Sequence, residues 1–86
     1  MEEEVGRVTH YFGKIGVAVI EVGAGSLKVG EAIRIKGHST DFTQKVGSLQ
    51  QEHQQITELK KGASGGMRVD QPVHEGDKVY KVKEGA

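Results

Sequence analysis

The sequence predicts an all-β fold, a small closed β-barrel of six to seven short strands, and three observations carry that expectation. Apolar residues either alternate or run in short β-branched segments such as Val17-Ala18-Val19-Ile20-Glu21-Val22. Turn signals recur at ~8–12-residue spacing, as in sandwiches and barrels. Glycine supplies 13 of the 86 residues against 1 proline, without a collagen-like period, a density that suits tight turns between short strands. A chain of this length hides only a little over ~60% of its unfolded surface, so every apolar position matters to a small core.

Each element follows in order. Val5 to Val22 reads VGRVTHYFGKIGVAVIEV, two β-rich runs flanking Gly13-Lys14. A Gly-X pair there predicts a two-residue hairpin turn of type II′. The second run is apolar on both faces and predicts a strand covered on both sides. Gly23-Ala24-Gly25-Ser26 breaks the pattern, after which Leu27, Val29, Ile33 and Ile35 are apolar while Arg34 and Lys36 alternate outward. Gly30 turns the chain and residues 32–36 extend it. In FTQKVGSLQQEHQQI, Phe42 and Val46 share a parity that Leu49 does not, and a β-bulge at Gly47 would return Leu49 to the core. Ile56 and Leu59 fit an irregular turn pinned to the core. Lys60-Lys61-Gly62 turns into a strand at 66–69, Pro72 ends it, and Glu75-Gly76-Asp77 turns into the last strand at 78–82. Val29-Gly30-Glu31-Ala32-Ile33 echoes Glu75-Gly76-Asp77-Lys78-Val79, one turn chemistry used twice: glycine permits the turn and the carboxylate accepts nearby backbone N–H groups. The organisation expected is a frayed N-terminus over 1–4, one barrel over 5–82 and a frayed C-terminus over 83–86.

Composition narrows the chemistry. Lys+Arg and Asp+Glu both total 12, so the net charge is zero and no general electrostatic grip on nucleic acid is expected. Cysteine is absent, which excludes disulfides and thiolate metal sites. No stretch approaches the ~20 apolar residues of a membrane helix, and acids stand where a signal peptide would carry bases, so a cytoplasmic location is expected. The phosphate loop G-x-x-x-x-G-K-[ST] is not present around Gly13-Lys14, where Val8 holds the first glycine's place, and no nucleotide or other cofactor is expected. Gly62-Ala63-Ser64-Gly65-Gly66 satisfies G-x-S-x-G, but that nucleophile elbow works only on a strand-turn-helix corner of a large α/β sheet, so Ser64 reads as a turn residue. His10, His38, His53 and His74 are dispersed, without ligand spacing, so no metal is expected. The run Gln50-Gln51-Glu52-His53-Gln54-Gln55 reads as a solvated strand end and loop.

The motifs as a set resemble domain 2, the β-barrel domain, of translation GTPases such as elongation factor Tu. Leu27-Lys28-Val29-Gly30-Glu31-Ala32-Ile33-Arg34-Ile35 resembles that family's "lkvGD-x-h-x-h" segment, with Glu31 in place of the usual Asp. Val5-Gly6-Arg7-Val8 is similar to its opening strand, Val46-Gly47-Ser48-Leu49-Gln50 to "V-x-S-I-Q", and Gly76-Asp77-Lys78-Val79 to its closing "GD-x-V". Lys61-Gly62-Ala63 to Met67-Arg68-Val69 resembles "aGd-x-x-g-l-x-l", with Ala63 where an acid is usual. The resemblance covers about residues 5–82 and implies a closed barrel that, in those GTPases, contacts ribosome, tRNA or the G domain.

Two functions follow as expectations, neither catalytic. In the first, a stand-alone translation-factor-like barrel binds RNA or a ribonucleoprotein through Arg7, Lys36, His38, Lys45, Lys60, Lys61 and Arg68 gathered into a phosphate-binding face. In the second, an accessory or protein-interaction barrel works beside a separately encoded enzyme such as a collagenase-like peptidase, since related barrels look to be appended to such enzymes.

Overall fold

The computed structural model describes residues 2–52 and 54–82. These form ten strands: β1 Glu2–Phe12, β2 Val17–Val22, β3 Ser26–Lys28, β4 Ala32–Lys36, β5 Asp41–Lys45, β6 Leu49–Gln51, β7 Gln54–Ile56, β8 Glu58–Lys60, β9 Ser64–Arg68 and β10 Lys78–Val82. Eight make one sheet in the order β5-β4-β10-β1-β2-β9-β6-β7, and β3 pairs with β8 in a second, two-stranded sheet. Every pair is antiparallel. The all-β class is as expected. Closure is not: β5 and β7 are the two ends of the sheet and do not pair with each other, so the expected closed barrel of six to seven strands is instead an open sheet wrapped around one core.

The physical reason lies at the β5 end. The polar Gln44 points inward from β5, and its Nε2 donates to the Arg68 carbonyl at 3.0 Å while its Oε1 accepts from the Asp70 N–H at 2.8 Å. A side-chain amide thus makes the donor–acceptor pair that a backbone peptide would make in a closed ladder. The chain then leaves β5 through Val46-Gly47-Ser48, which is not in a strand, and starts β6 near the opposite end. That irregular corner replaces the expected bulge at Gly47 and still delivers Leu49 to the core, where it is 1% exposed.

Bulges occur elsewhere, in the long strand β1. Its register shifts between Glu4 and Gly6 against β10, and between Val8 and His10 against β2. Each shift adds bend and twist. The first half of β1 pairs with β10 and the second half with β2. Glu2, Glu3 and Glu4 lie opposite Val82, Lys81 and Tyr80, so this part of the expected frayed N-terminus is paired strand. Met1 and residues 83–86 lie outside the described residues.

The β1–β2 connection also differs from expectation. Phe12 lies opposite Val17, leaving four turn residues, 13–16, in which the Ile15 and Gly16 N–H groups donate to the Phe12 carbonyl at 3.2 and 2.9 Å. Positive φ falls on Gly16, at 67°, and not on Gly13, so a two-residue type II′ turn is ruled out. In β2 the expectation of two covered faces holds for one: Ala18, Ile20 and Val22 are buried, while Val17 and Val19 are half-buried. Strands β7 and β8 stand where an irregular turn was expected around Ile56 and Leu59, and β9 starts at Ser64, ahead of the expected 66–69.

The turn echo is real and occurs three times. Gly30, Gly62 and Gly76 have φ of 93°, 88° and 92°, the third position of a type II turn that a side chain would strain. The Glu31, Ala63 and Asp77 N–H groups donate to the Lys28, Lys60 and His74 carbonyls. In the first and third turns the carboxylate closes the loop in reverse: Glu31 Oε1 accepts from the Lys28 N–H at 2.7 Å and Asp77 Oδ2 from the His74 N–H at 2.9 Å. Ala63 has no group for that second bond.

The core comprises Val5, Val8, Ala18, Ile20, Val22, Leu27, Ile33, Ile35, Phe42, Val46, Leu49, Leu59, Met67, Val69, Val73 and Val79. Lys81 follows the inward parity of Val79 and closes one end of this core, where its Nζ meets Glu31 Oε2 at 3.1 Å.

Candidate functional site

The register lines up one exposed row across the outer face of the sheet. It runs Asp41, Lys36, Lys78, Arg7, Glu21, Ser64 on β5, β4, β10, β1, β2 and β9. Three cations stand side by side with a carboxylate at either end. Arg7 Nη2 lies 3.5 Å from Glu21 Oε1, and Lys78 Nζ lies 3.6 Å from Glu4 Oε1. Arg34 grips Asp41 with two bonds, Nε to Oδ1 at 2.7 Å and Nη2 to Oδ2 at 2.8 Å. That guanidinium holds the Asp41 carboxyl below its ordinary 3.8, with Lys36 adding a smaller pull in the same direction. Two of the row's three cations, Arg7 and Lys78, are thus held in exposed ion pairs, so the row is not an uncompensated cationic face.

The seven cationic residues read from the sequence do not gather into one face. Arg7 and Lys36 share the row, and His38 follows Lys36 in the exposed β4–β5 loop. Lys45 lies at the other end of β5, opposite Ala32. Lys60 ends β8, Lys61 sits in the turn after it, and Arg68 ends β9 opposite Val17. Lys78, between Arg7 and Lys36, escaped the sequence reading. Its alternation with Val79 marks it as outward, but only strand order shows that β10 lies between β4 and β1.

Ser64 opens β9 on the exposed face, and its carbonyl accepts from Gln51 Nε2 at 3.3 Å. Two of the histidines have side-chain contacts of their own. His10 Nδ1 lies 3.1 Å from Glu75 Oε1, with both side chains exposed. His74 Nδ1 lies 3.1 Å from Thr40 Oγ1. His53 lies outside the described residues. Among the described residues no group of three or more His, Cys, Asp or Glu side chains could hold a metal ion.

The glutamine run folds as the β6–β7 hairpin, with Gln50 opposite Gln55 and Gln51 opposite Gln54. Beside it opens a cavity of about 360 Å³ lined by Val29, Gly47, Ser48, Leu49, Gln55, Ile56 and Thr57. A smaller one of about 220 Å³ lies along Glu4 to Arg7, Glu21, Gly23 and Ala24. Three large apolar side chains are exposed among the described residues: Phe12 at 51%, Ile15 at 61% and Val29 at 42%. Of the apolar residues Leu27, Val29, Ile33 and Ile35, Val29 alone is not buried. It sits instead at the second position of the Lys28–Glu31 turn, on the rim of the larger cavity.

Comparison with known proteins gives this geometry a context. No family model matches the chain. It is 39% identical over 82 residues to an uncharacterized protease of Methanocaldococcus jannaschii, covering 94% of this chain and 20% of that protein. It is 35% identical over 78 residues to a collagenase of Porphyromonas gingivalis, covering 90% of this chain and 22% of the collagenase. The chain thus spans about a fifth of the length of the curated relatives it matches. Among solved structures it superposes on the C-terminal domain of a Geobacillus thermoleovorans U32 peptidase with a TM-score of 0.87 at 18% identity, over 94% of this chain and 93% of that domain. The fold is therefore that of a peptidase C-terminal domain. These matches overturn the resemblance to translation-GTPase domain 2, and the translation-factor and RNA-binding expectations fall with it. The shared motifs were turn and strand chemistry, a glycine at positive φ followed by an acid and alternating apolar residues, which any small wrapped sheet can use.

Proposed function

We propose that the chain is a non-catalytic accessory β domain that acts beside a peptidase body, either joined to it or separately encoded. The observation that carries this reading is the coverage. Nearly the whole chain matches only about a fifth of relatives that are named protease or collagenase, so the rest of those polypeptides is free to hold the peptide-cleaving groups. Among the described residues no histidine is hydrogen-bonded to Ser64, which supports the same division of labour, since nucleophilic catalysis needs a base within hydrogen-bond reach of the nucleophile.

A chimera tests it. The segment of the Porphyromonas gingivalis collagenase that matches this chain is deleted in one variant and replaced by this chain in another, and hydrolysis of soluble collagen is measured. Deletion should cost at least tenfold in rate, the replacement should restore the rate to within tenfold of the parent, and the isolated chain should be inactive with or without Ser64→Ala. A deletion variant as active as its parent would sink the reading, as would collagen hydrolysis by the isolated chain that Ser64→Ala abolishes.

A further inference from the structure

The two ends of the main sheet are treated differently. An open edge strand presents unpaired N–H and C=O groups to any extended chain, and proteins blunt such edges with charges or covering segments. The β5 edge is blunted in both ways. Asp41 and Lys45 stand at its ends, Arg34 clamps Asp41, and Gln44 ties the strand to Arg68 and Asp70. The β7 edge carries Gln54, Gln55 and Ile56, with no charge among them. Immediately beside it lies the 360 Å³ cavity, floored by buried Leu49 and half-buried Ile56 and rimmed by the exposed Val29. Ser48, Gln55 and Thr57 place hydrogen-bonding groups around that apolar floor.

We propose that the β7 edge and this cavity bind an extended, unfolded polypeptide segment, which pairs with Gln54–Ile56 as an added strand and seats one apolar side chain against Val29, Leu49 and Ile56. Strand addition draws affinity from main-chain bonds, and selectivity from pockets that take alternate side chains. An uncharged edge suits main-chain pairing, and the cavity exceeds what one large side chain fills. A second copy of this chain is the weaker occupant. Edge-to-edge pairing over three residues offers little of the ~1,200 Å² that a stable dimer buries. The identity of the bound chain, unfolded protein on its way to a peptidase, rests on the accessory reading; the site itself does not.

Fluorescein-labelled α-casein, an unfolded polypeptide, serves as the probe in an anisotropy titration with the full chain. Val29→Glu and Gln55→Lys should each weaken binding at least tenfold, while Thr43→Lys on the β5 edge leaves it within twofold. Amide exchange at residues 54–56 should slow when casein is added. Circular dichroism confirms folding of each variant, and Gln54→Lys substitutes for any that misfolds. Absence of saturable binding overturns the proposal, as does an equal loss in Thr43→Lys. So does a dimer in sedimentation velocity that Gln55→Lys dissolves without casein binding. Casein binding with an inactive collagenase chimera would remove only the accessory reading, and an active chimera without casein binding would remove only this site.

Discussion

At the scale of the residue, the carboxylates separate into structural and superficial ones by burial. Asp77 is 5% exposed and its Oδ2 accepts the His74 N–H, so it closes a turn from inside. Gly37 lies against it so closely that a Cβ at that position would collide with the carboxylate. Asp77→Ala should therefore lower unfolding free energy by about 1–3 kcal/mol in urea titration, because the part-buried His74 N–H loses its acceptor. Gly37→Ala should also destabilise, and less so in the Asp77→Ala background, a coupling that a double-mutant cycle measures. Asp41 is the superficial case. Its carboxyl is held below 3.8 by Arg34 in the folded state. A depressed folded value means that the pair stabilises above the unfolded value and that this contribution disappears as pH falls through the folded one. The stability difference between the native chain and Asp41→Asn should accordingly be largest at pH 7 and shrink below about pH 4 in urea titrations across that range. Gly76-Asp77 was readable as turn chemistry in the sequence; the burial of Asp77 under Gly37 was not, because it joins residues forty positions apart.

At the scale of the element, the informative strand is β5. Its burial alternates through Phe42 and Gln44, so a polar amide occupies a core-facing position. The sequence reading followed Phe42 and Val46 and passed over Gln44, since a glutamine gives no apolar signal. Its role is visible only when Arg68 and Asp70 come alongside. Gln44→Leu keeps the volume but leaves the Asp70 N–H and the Arg68 carbonyl without that partner. The expected loss is about 1–3 kcal/mol of stability, with faster amide exchange at Asp70. Unchanged exchange at Asp70 would show that the amide does not hold β5 to the segment after β9. The β1–β2 turn teaches a related lesson. Gly13-Lys14 is a legitimate hairpin signal, yet the turn extends to Gly16, because the pairing of Phe12 with Val17 decides which glycine must take positive φ.

At the scale of the whole molecule, β10 is the keystone, for it lies between β4 and β1 and joins the last strand of the chain to the first. Truncation after Asp77 would strip both neighbours of a partner and expose Ile33, Ile35 and Val8. A domain this small has only a few kcal/mol in reserve, so the truncated chain should be unfolded by circular dichroism at 25 °C. By contrast the exposed ion-pair row contributes little, and salt should change stability only slightly. The sequence by itself determined the all-β class, most strand positions, the glycine–acid turns and part of the core, because alternation and turn propensity act over a few neighbouring residues. Tertiary structure alone decided that the sheet stays open, that Gln44 ties β5 to the segment ending β9, that the cationic residues disperse, and that Val29 faces a cavity beside an unguarded edge. Those outcomes depend on strand order and register, which are set by packing between residues far apart in the chain.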